Sequence, residues 1–357
     1  MTKKKCIMLG VGGMARHWIF DFWARQNHRM EFAALVDVNA DALKDAGEKL
    51  GLPSSALFTD AKAAFETVEA DFCCIVTPPQ FHRAAVELAA ARKMDILSEK
   101  PIAATWNDTV AIYKTVKNAG VKMLVTQNYR YTPRILTLKK AVSELGQVNY
   151  AVGRYTSDYR VRGSWGAEFR HSMPHSLLIE GGIHHFDQLR NLTDGDVETI
   201  CGYEWHPGLV RGAQNAFGGG DSFEGEPCGL FVMQMHNGAF AHYEGNNLES
   251  AKTNSWHAEY YRVECEGGAA ILDSDHQVHI VSRENGQRVV RDVETVKVEF
   301  SGHAAMPEQF LNWLEGGETP PTALDDNIKS NATLFAAIEA SEQKRVVNVR
   351  EMLEKAI

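Results

Sequence analysis

The apolar run Cys6-Ile7-Met8-Leu9 passes directly into Gly10-Val11-Gly12-Gly13-Met14-Ala15, and a helical stretch, RHWIFDFWARQ, follows at once. Few short patterns restrict a fold so strongly. Gly10 permits a tight turn, Gly12 lets the backbone approach a pyrophosphate, and Ala15 allows close packing of helix on strand. The helix start then presents its free N–H groups to an anion. A lone GxGxxA is often only a flexible turn. Here it has a strand before it, a helix after it and an acid, Asp37, 22 positions past Ala15, which is the context of a dinucleotide fingerprint. The expected cofactor contacts are Gly10, Gly12, Gly13, Met14 and Ala15. Asp37 can accept both ribose hydroxyls of NAD and would repel a 2′-phosphate, and neither Val38 nor Asn39 brings a positive charge to offset that. The other use for Asp37 is to help cap the next helix, a task Asn39 or Asp41 could do without it. NAD is expected in preference to NADP.

Strand-like and helical segments then alternate: EFAALVD, NADALKDAGEKL ending at Gly51, DFCCIVT, a helix from near His82, MDILSEKP, DTVAIYKTVKNAG and VKMLVT. This order predicts parallel βαβ units with right-handed crossovers, a doubly wound Rossmann sheet. After about residue 145 the pattern changes. GLFVMQMH and AFAHYEGNN flank Asn237-Gly238 and read as a hairpin with a tight primed turn. YYRVECE and AAILDSD flank Gly267-Gly268 and read as a second hairpin. Strands without helices between them predict a separate antiparallel sheet. Residues 207–228, rich in Gly and Pro, read as a long surface loop, and the helix NIKSNATLFAAIEASEQ is expected to close the chain after Pro320-Pro321. The expected domains are 1–125, binding the dinucleotide, and 126–357, binding substrate and mediating oligomerisation. A length of 357 residues suits two domains of roughly 150 residues each.

Composition excludes other classes. A net charge of −9 argues against a general binder of nucleic acid or acidic membrane, which needs a basic face. No apolar run reaches the roughly 18 residues of a membrane span, and Gly, Arg and His interrupt the N-terminus before a signal-peptide core could form. Six cysteines without a CxxC pair read as reduced thiols, so a cytoplasmic location is expected.

Glu99-Lys100-Pro101 follows a strand, which sets Lys100 at the carboxyl edge of the parallel sheet, where open α/β folds bind ligands. With the glycine loop, VTPPQFH (76–82) and QNYRYTP (127–133), this EKP segment resembles the Gfo/Idh/MocA family of oxidoreductases across essentially the whole chain. The resemblance implies a Rossmann domain and a C-terminal α/β domain with an open, mostly antiparallel sheet that often forms a homodimer or homotetramer interface. It implies hydride transfer between NAD(P) and a sugar, cyclitol or sugar derivative. Carried over by position, Lys100 is the active-site lysine, with a Lys100–Pro101 bond that is often cis in relatives. Thr77, Pro78 and His82 fall near the nicotinamide end, and Glu99 and Gln127 complete the implied cofactor contacts. Where many relatives have Asp-x-Gly-x-His, this chain has Glu180-Gly181-Gly182-Ile183-His184.

On an ordinary helix, residues four apart share a face, so Glu180 and His184 are expected to point together at a substrate hydroxyl. An imidazole, with an intrinsic pKa of about 6.5, can take or give a proton near neutrality. Lys100 would stabilise the negative charge developing on the same oxygen. His185, about 100° away on the helix, is assigned to substrate contact or packing. Asp187 either bonds within the site or orients the helix. Arg160, Arg162, Trp165 and Arg170 suit a polyhydroxylated substrate, and an acidic sugar if the arginines converge. A competing reading groups His171, His175, Glu180, His184 and His185 around a zinc ion; Pro174 and the divergence of His184 from His185 argue against it, and no metal is expected. Two other functions compete: an NAD-using glycosidase and a non-catalytic NAD- and sugar-binding regulator.

Overall fold

The computed structural model describes residues 2–166, 168–207, 223–249 and 259–357. They divide into two compact units: Met1–Asn128 with Glu299–Asn331 and Ile357, and Tyr129–Val298 with Ala332–Ala356. The return of Glu299–Asn331 to the first unit differs from a single boundary near residue 125. Its physical reason lies at a sheet edge, described below.

In the first unit β1 (Lys4–Leu9), α1 (Gly13–His17), β2 (Met30–Val36), α2 (Ala40–Leu50), β3 (Leu57–Phe58), α3 (Ala61–Thr67), β4 (Phe72–Ile75), α4 (His82–Ala91), β5 (Asp95–Ser98), α5 (Trp106–Ala119) and β6 (Met123–Val125) alternate along the chain. The six strands form one sheet in the order β3-β2-β1-β4-β5-β6, with every pair parallel. Parallel strands are covered on both faces and therefore read as unbroken apolar runs; all four residues of β4 are buried. Asn39 caps α2 through the N–H groups of Asp41 and Ala42, and Gly51 ends it in the left-handed region at φ 68°. β3 and α3 were absent from the sequence pattern, because the strand is only two residues long.

The helix expected over 16–26 is not uniform. After α1 the chain widens into a π-helical turn, Trp18–Phe22, and then tightens into a 3₁₀ turn, Trp23–Gln26. The cause is the five-residue spacing of Trp18 and Trp23. On an α-helix they would diverge by roughly 140°, yet both are buried, at 0% and 1% exposure. The i→i+5 bond from Trp23 N–H to the Trp18 carbonyl brings them to one side, with ring centroids 6.3 Å apart.

The edge of the sheet at β6 is covered by the returning segment. Val125 N–H donates to the Thr322 carbonyl (3.2 Å), and Leu124 bridges Ala323. Ile102 N–H donates to Asn331 Oδ1 (3.0 Å) in the interior. These bonds occupy backbone groups that an open edge would leave unpaired.

The second unit contains α6 (Pro133–Ser143), β7 (Val148–Thr156), α7 (Phe169–Ser172), a π-helical segment (Leu177–Gly182), α8 (Ile183–Thr193), β8 (Val197–Trp205), β9 (Cys228–Met235), β10 (Phe240–Asn246), β11 (Tyr260–Cys265), β12 (Gly268–Leu272), β13 (Val278–Glu284) and β14 (Gln287–Asp292). The chain continues through α9 (Ala305–Leu314) and α10 (Leu324–Gln343), but it does not close there. β15 (Val347–Asn348) and α11 (Val349–Glu354) follow. β15 pairs with β8 and completes a nine-stranded sheet, β14-β13-β12-β11-β7-β10-β9-β8-β15. All pairs are antiparallel except β7 with β10, so the sheet is mixed and mostly antiparallel.

Both expected hairpins form. The turn between β9 and β10 is not the primed kind, since only Gly238 (φ 88°) has positive φ there. Gly238 N–H donates to the Met235 carbonyl (3.0 Å) and Met235 N–H to the Ala239 carbonyl (2.8 Å), a three-residue loop with glycine in the left-handed position. Most of the loop expected over 207–228, residues 208–222, lies outside the described residues.

Candidate active site

In the first unit Gly10, at φ 94°, has no room for a side chain: a Cβ would stand 2.3 Å from the Val76 carbonyl oxygen. A Cβ on Gly12 or Gly13 would meet nothing within 4 Å, so the backbone there is open to a ligand. Ala15 is buried at 1% exposure, while Met14 is exposed at 39%. Asp37 holds the loop itself. Its Oδ2 accepts from Val11 N–H (2.8 Å) and its Oδ1 from Asn39 N–H (2.9 Å). The helix cap is Asn39, so capping leaves Asp37 available for another use, and each carboxylate oxygen retains a second lone pair for a ribose hydroxyl. Thr77 carries a buried hydroxyl without a hydrogen-bond partner. An open glycine cradle, the Asp37 carboxylate beyond β2 and an orphaned hydroxyl fit a nicotinamide dinucleotide.

Lys100 stands past β5 with a cis Lys100–Pro101 bond. Glu99 is buried beside it. Its Oε1 accepts from Trp18 Nε1 (2.8 Å) and its Oε2 from Lys100 N–H (3.1 Å). Burial raises the Glu99 carboxyl above its ordinary range, against the opposing pull of the Lys100 charge. Gln127 is fully buried.

His82, expected near the nicotinamide end, is held within the unit. It has no exposed surface. Its Nε2 lies 2.8 Å from the Thr77 carbonyl, and its Nδ1 lies 3.1 and 3.2 Å from those of Pro101 and Ile102. It ties the Thr77-Pro78 turn to the turn after Lys100, and burial lowers its pKa.

The sequence pattern missed His303, which returns to this unit with Glu299–Asn331. Its ring stacks on Phe22 (5.3 Å, 6°) and meets Trp18 edge-on. Its Nδ1 lies 3.1 Å from Asn128 Nδ2, and its Nε2 lies 3.7 Å from Glu99 Oε1. Burial, then the positive charges of Lys100 and His17, hold its pKa down at about 4. Its distance along the chain from the EKP segment left no local signal.

In the second unit Glu180 belongs to the π-helical segment and His184 to α8. The assumption of one regular helix over 177–187 is therefore corrected, and the expected i, i+4 alignment does not follow from helix geometry. All six residues of the π segment are buried. A Cβ on Gly181 would stand in ordinary contact with His185, Trp165 and Tyr155 at 3.7–3.9 Å, so three rings lie against this turn. Glu180 accepts from Arg170 Nε (2.9 Å). His184 stacks flat on Tyr129, with centroids 4.2 Å apart and an interplanar angle of 7°.

His185 turns into the core. Its Nδ1 lies 3.1 Å from Tyr243 Oη, its ring stacks on Tyr155 at 4.8 Å, and its Nε2 is 3.8 Å from Glu259 Oε1. Burial pushes the Glu259 carboxyl up, but the neighbouring His185 ring and the Arg134 charge outweigh it and hold the pKa below its ordinary value. Packing is the role this geometry supports. Asp187 is fully buried and accepts from Arg130 through both oxygens (2.7 Å each), an ion pair suited to orienting the helix.

The arginines expected to greet substrate are neutralised within the unit. Arg160 is 5% exposed and forks onto Asp158 at 2.7 and 2.8 Å. Arg162 donates to Glu224 at 2.7 Å. Arg170 serves Glu180 and the Trp165 carbonyl. Trp165 is 2% exposed and stacks on Tyr159 (5.7 Å, 11°). Each of these side chains has an internal partner that folding brought to it.

The residues weighed for zinc have separate neighbours. His171 Nε2 lies 2.9 Å from the Tyr159 carbonyl. Among the described residues no group of three or more His, Cys, Asp or Glu could hold a metal ion. His175, at φ 53°, meets Glu204 (2.8 Å), Glu342 (3.5 Å) and Glu226 (3.8 Å). The Glu204 bond is the main cause that raises its pKa. A histidine raised on folding stabilises fully below its unfolded pKa of about 6.5 and loses that contribution as pH rises through the folded value. The melting temperature of wild type should therefore exceed that of His175→Gln most near pH 6, and the gap should narrow toward pH 9. A gap that widens with pH would refute this assignment.

A doubly wound sheet with a glycine cradle, an acid at the ribose position and a lysine at its carboxyl edge defines a nucleotide-dependent oxidoreductase architecture, here followed by a mixed α/β unit. Residues 4–127 match the oxidoreductase family with NAD-binding Rossmann fold, and residues 139–349 match its C-terminal alpha/beta domain. The chain belongs to the Gfo/Idh/MocA family. It is 35% identical to the uncharacterized protein y4oX of Sinorhizobium fredii, over 98% of this chain and 97% of that protein. It is 24% identical to a D-apiose dehydrogenase of Rhizobium rhizogenes, over 99% of each. Its fold matches the crystal structure of an Agrobacterium radiobacter oxidoreductase in complex with NAD⁺, L-tartaric acid and magnesium, with a TM-score of 0.82, 22% identity, and coverage of 98% of this chain and 100% of that one. No helix among the described residues is long and apolar enough to cross a membrane.

Proposed function

We propose that this protein transfers a hydride between NAD and a hydroxyl or keto carbon of a sugar, cyclitol or sugar derivative. The observation that carries the reading is the Lys100 corner: a lysine at the carboxyl edge of the parallel sheet, its backbone N–H held by buried Glu99, in the unit that holds the open glycine loop. Bound NAD supplies the hydride acceptor. Lys100 stabilises negative charge on the substrate oxygen as its proton leaves. His184 takes that proton, and Glu180 positions the turn that carries it. The named relative acting on D-apiose supports the substrate class.

The test is NADH production with NAD over a panel of D-apiose, other aldoses, uronates, inositols and anhydrosugars. Tight NAD binding without NADH from any member would overturn this reading in favour of a non-catalytic regulator, and sugar release without net NADH would favour glycoside cleavage.

Asp37 should make NAD the preferred cofactor. Replacing it with Ser removes the charge opposed to a 2′-phosphate and should raise the NADP-to-NAD ratio of kcat/KM by about tenfold or more, the scale of one charge-assisted contact. Equal use of both cofactors by wild type would show that Asp37 does not discriminate.

We also propose that the protein is a homo-oligomer formed through the open sheet. Tyr203, Trp205, Leu230, Val232 and Phe240 alternate outward from β8, β9 and β10, each 43–56% exposed. An apolar face of this kind marks an association surface.

A further inference from the structure

We propose that Ser157 and Asn247 form a neutral subsite that recognises ring hydroxyls of the substrate, an inference that rests on the sugar or cyclitol class proposed above. The two residues directly follow β7 and β10, the one parallel pair in the sheet, where Thr156 stands opposite Asn246 and Tyr155 opposite Gly245. The ladder continues beyond both strands. Ser157 N–H donates to the Asn246 carbonyl and Tyr159 N–H to the Asn247 carbonyl, each at 2.8 Å. Side chains alternate along a strand, so Ser157 and Asn247 share the face of Tyr155 and Gly245. That face packs on the π-helical segment and α8: Tyr155 stacks on His185, and a Cβ at Gly245 would stand 3.0 Å from Leu177 Cδ2.

Ser157 is 1% exposed and Asn247 is fully buried. Ser157 Oγ, Asn247 Nδ2 and Asn247 Oδ1 all lack a hydrogen-bond partner. Polar groups buried without partners oppose folding, and three on two adjacent side chains call for an occupant. The chemistry specifies it. A carboxamide offers a donor and an acceptor, a serine hydroxyl offers either, and neither carries charge. Vicinal hydroxyls are their complement. Two arginines of the same unit are already matched to carboxylates, Arg160 to Asp158 and Arg170 to Glu180, which favours a neutral polyol over a uronate. The competing occupant is a structural water that bridges the three atoms.

Asn247→Leu and Ser157→Ala in the full-length protein separate these two. If a substrate hydroxyl is the partner, the melting temperature without sugar should hold or rise. The kcat/KM for the best neutral substrate of the panel should fall roughly tenfold or more. Against the series of its monodeoxy analogues, one should show a wild-type-to-variant ratio near 1, because the missing hydroxyl and the missing side chain report the same contact. A lower melting temperature with unchanged kcat/KM would identify a structural water and overturn the subsite. So would a uronate as the best substrate, an outcome that leaves the dehydrogenase reading intact. Should no panel member yield NADH, the dehydrogenase reading fails by itself. The subsite is then judged by whether D-apiose or myo-inositol raises the melting temperature of the NADH-bound wild type more than that of Asn247→Leu; equal shifts overturn it.

Discussion

Lys100→Met should lower turnover by about 100-fold or more, the scale for removing an electrostatic stabiliser of a developing oxyanion, with NADH binding largely retained. The two effects separate because different groups supply them. The pyrophosphate is assigned to the open backbone at Gly12 and Gly13, which the substitution does not touch. The Glu99 carboxyl will respond as well. Burial already raises its pKa and the Lys100 charge opposes that rise, so loss of the ammonium should raise it further. Fluorescence titration with NADH and steady-state kinetics read the two quantities independently. A well-folded Lys100→Met protein with wild-type turnover would place the chemistry away from this sheet edge.

The adjacent histidines of α8 should give opposite results. His184→Ala should depress kcat by roughly 100-fold or more, the usual scale for a positioned acid or base, and should remove the imidazole titration from the pH–rate profile. His185→Ala should act on stability. His185 and Glu259 are buried together, with side chains 3% and 1% exposed, and truncating the ring leaves the buried Tyr243 hydroxyl without its partner, at about 1–3 kcal/mol. The folded fraction of His185→Ala should keep most of its kcat. A chelator should change the rate of neither variant. A folded but inactive His185→Ala protein, or a wild type inactivated by chelator, would remove the role assigned to His184.

The Rossmann unit could be read from the chain because its signals are local. Gly10 needs a positive φ and the absence of a side chain, the caps of α2 lie within a few residues of it, and a strand covered on both faces is apolar throughout. The hairpins were readable for the same reason, whereas the form of the 235–239 turn depended on backbone angles that an Asn-Gly pair leaves open. Lys100, His184 and the glycine loop could be nominated from their motifs.

Their surroundings could not be inferred from spacing, because a polar side chain does not reveal which partner folding will bring to it. Arg130 reaches Asp187 across 57 positions and Arg134 reaches Glu259 across 125, ion pairs that no local pattern announces. His82 and His185 read as site residues and were buried, whereas His303 gave no signal and came to stand beside Glu99. The π-helical turns also required the tertiary structure. A regular helix cannot bury both Trp18 and Trp23 on one side, and only packing in the folded unit favours the wider turn. Local periodicity fixes which elements form; the desolvation of each charged or polar group, and the partner that offsets it, are decided only when distant segments meet.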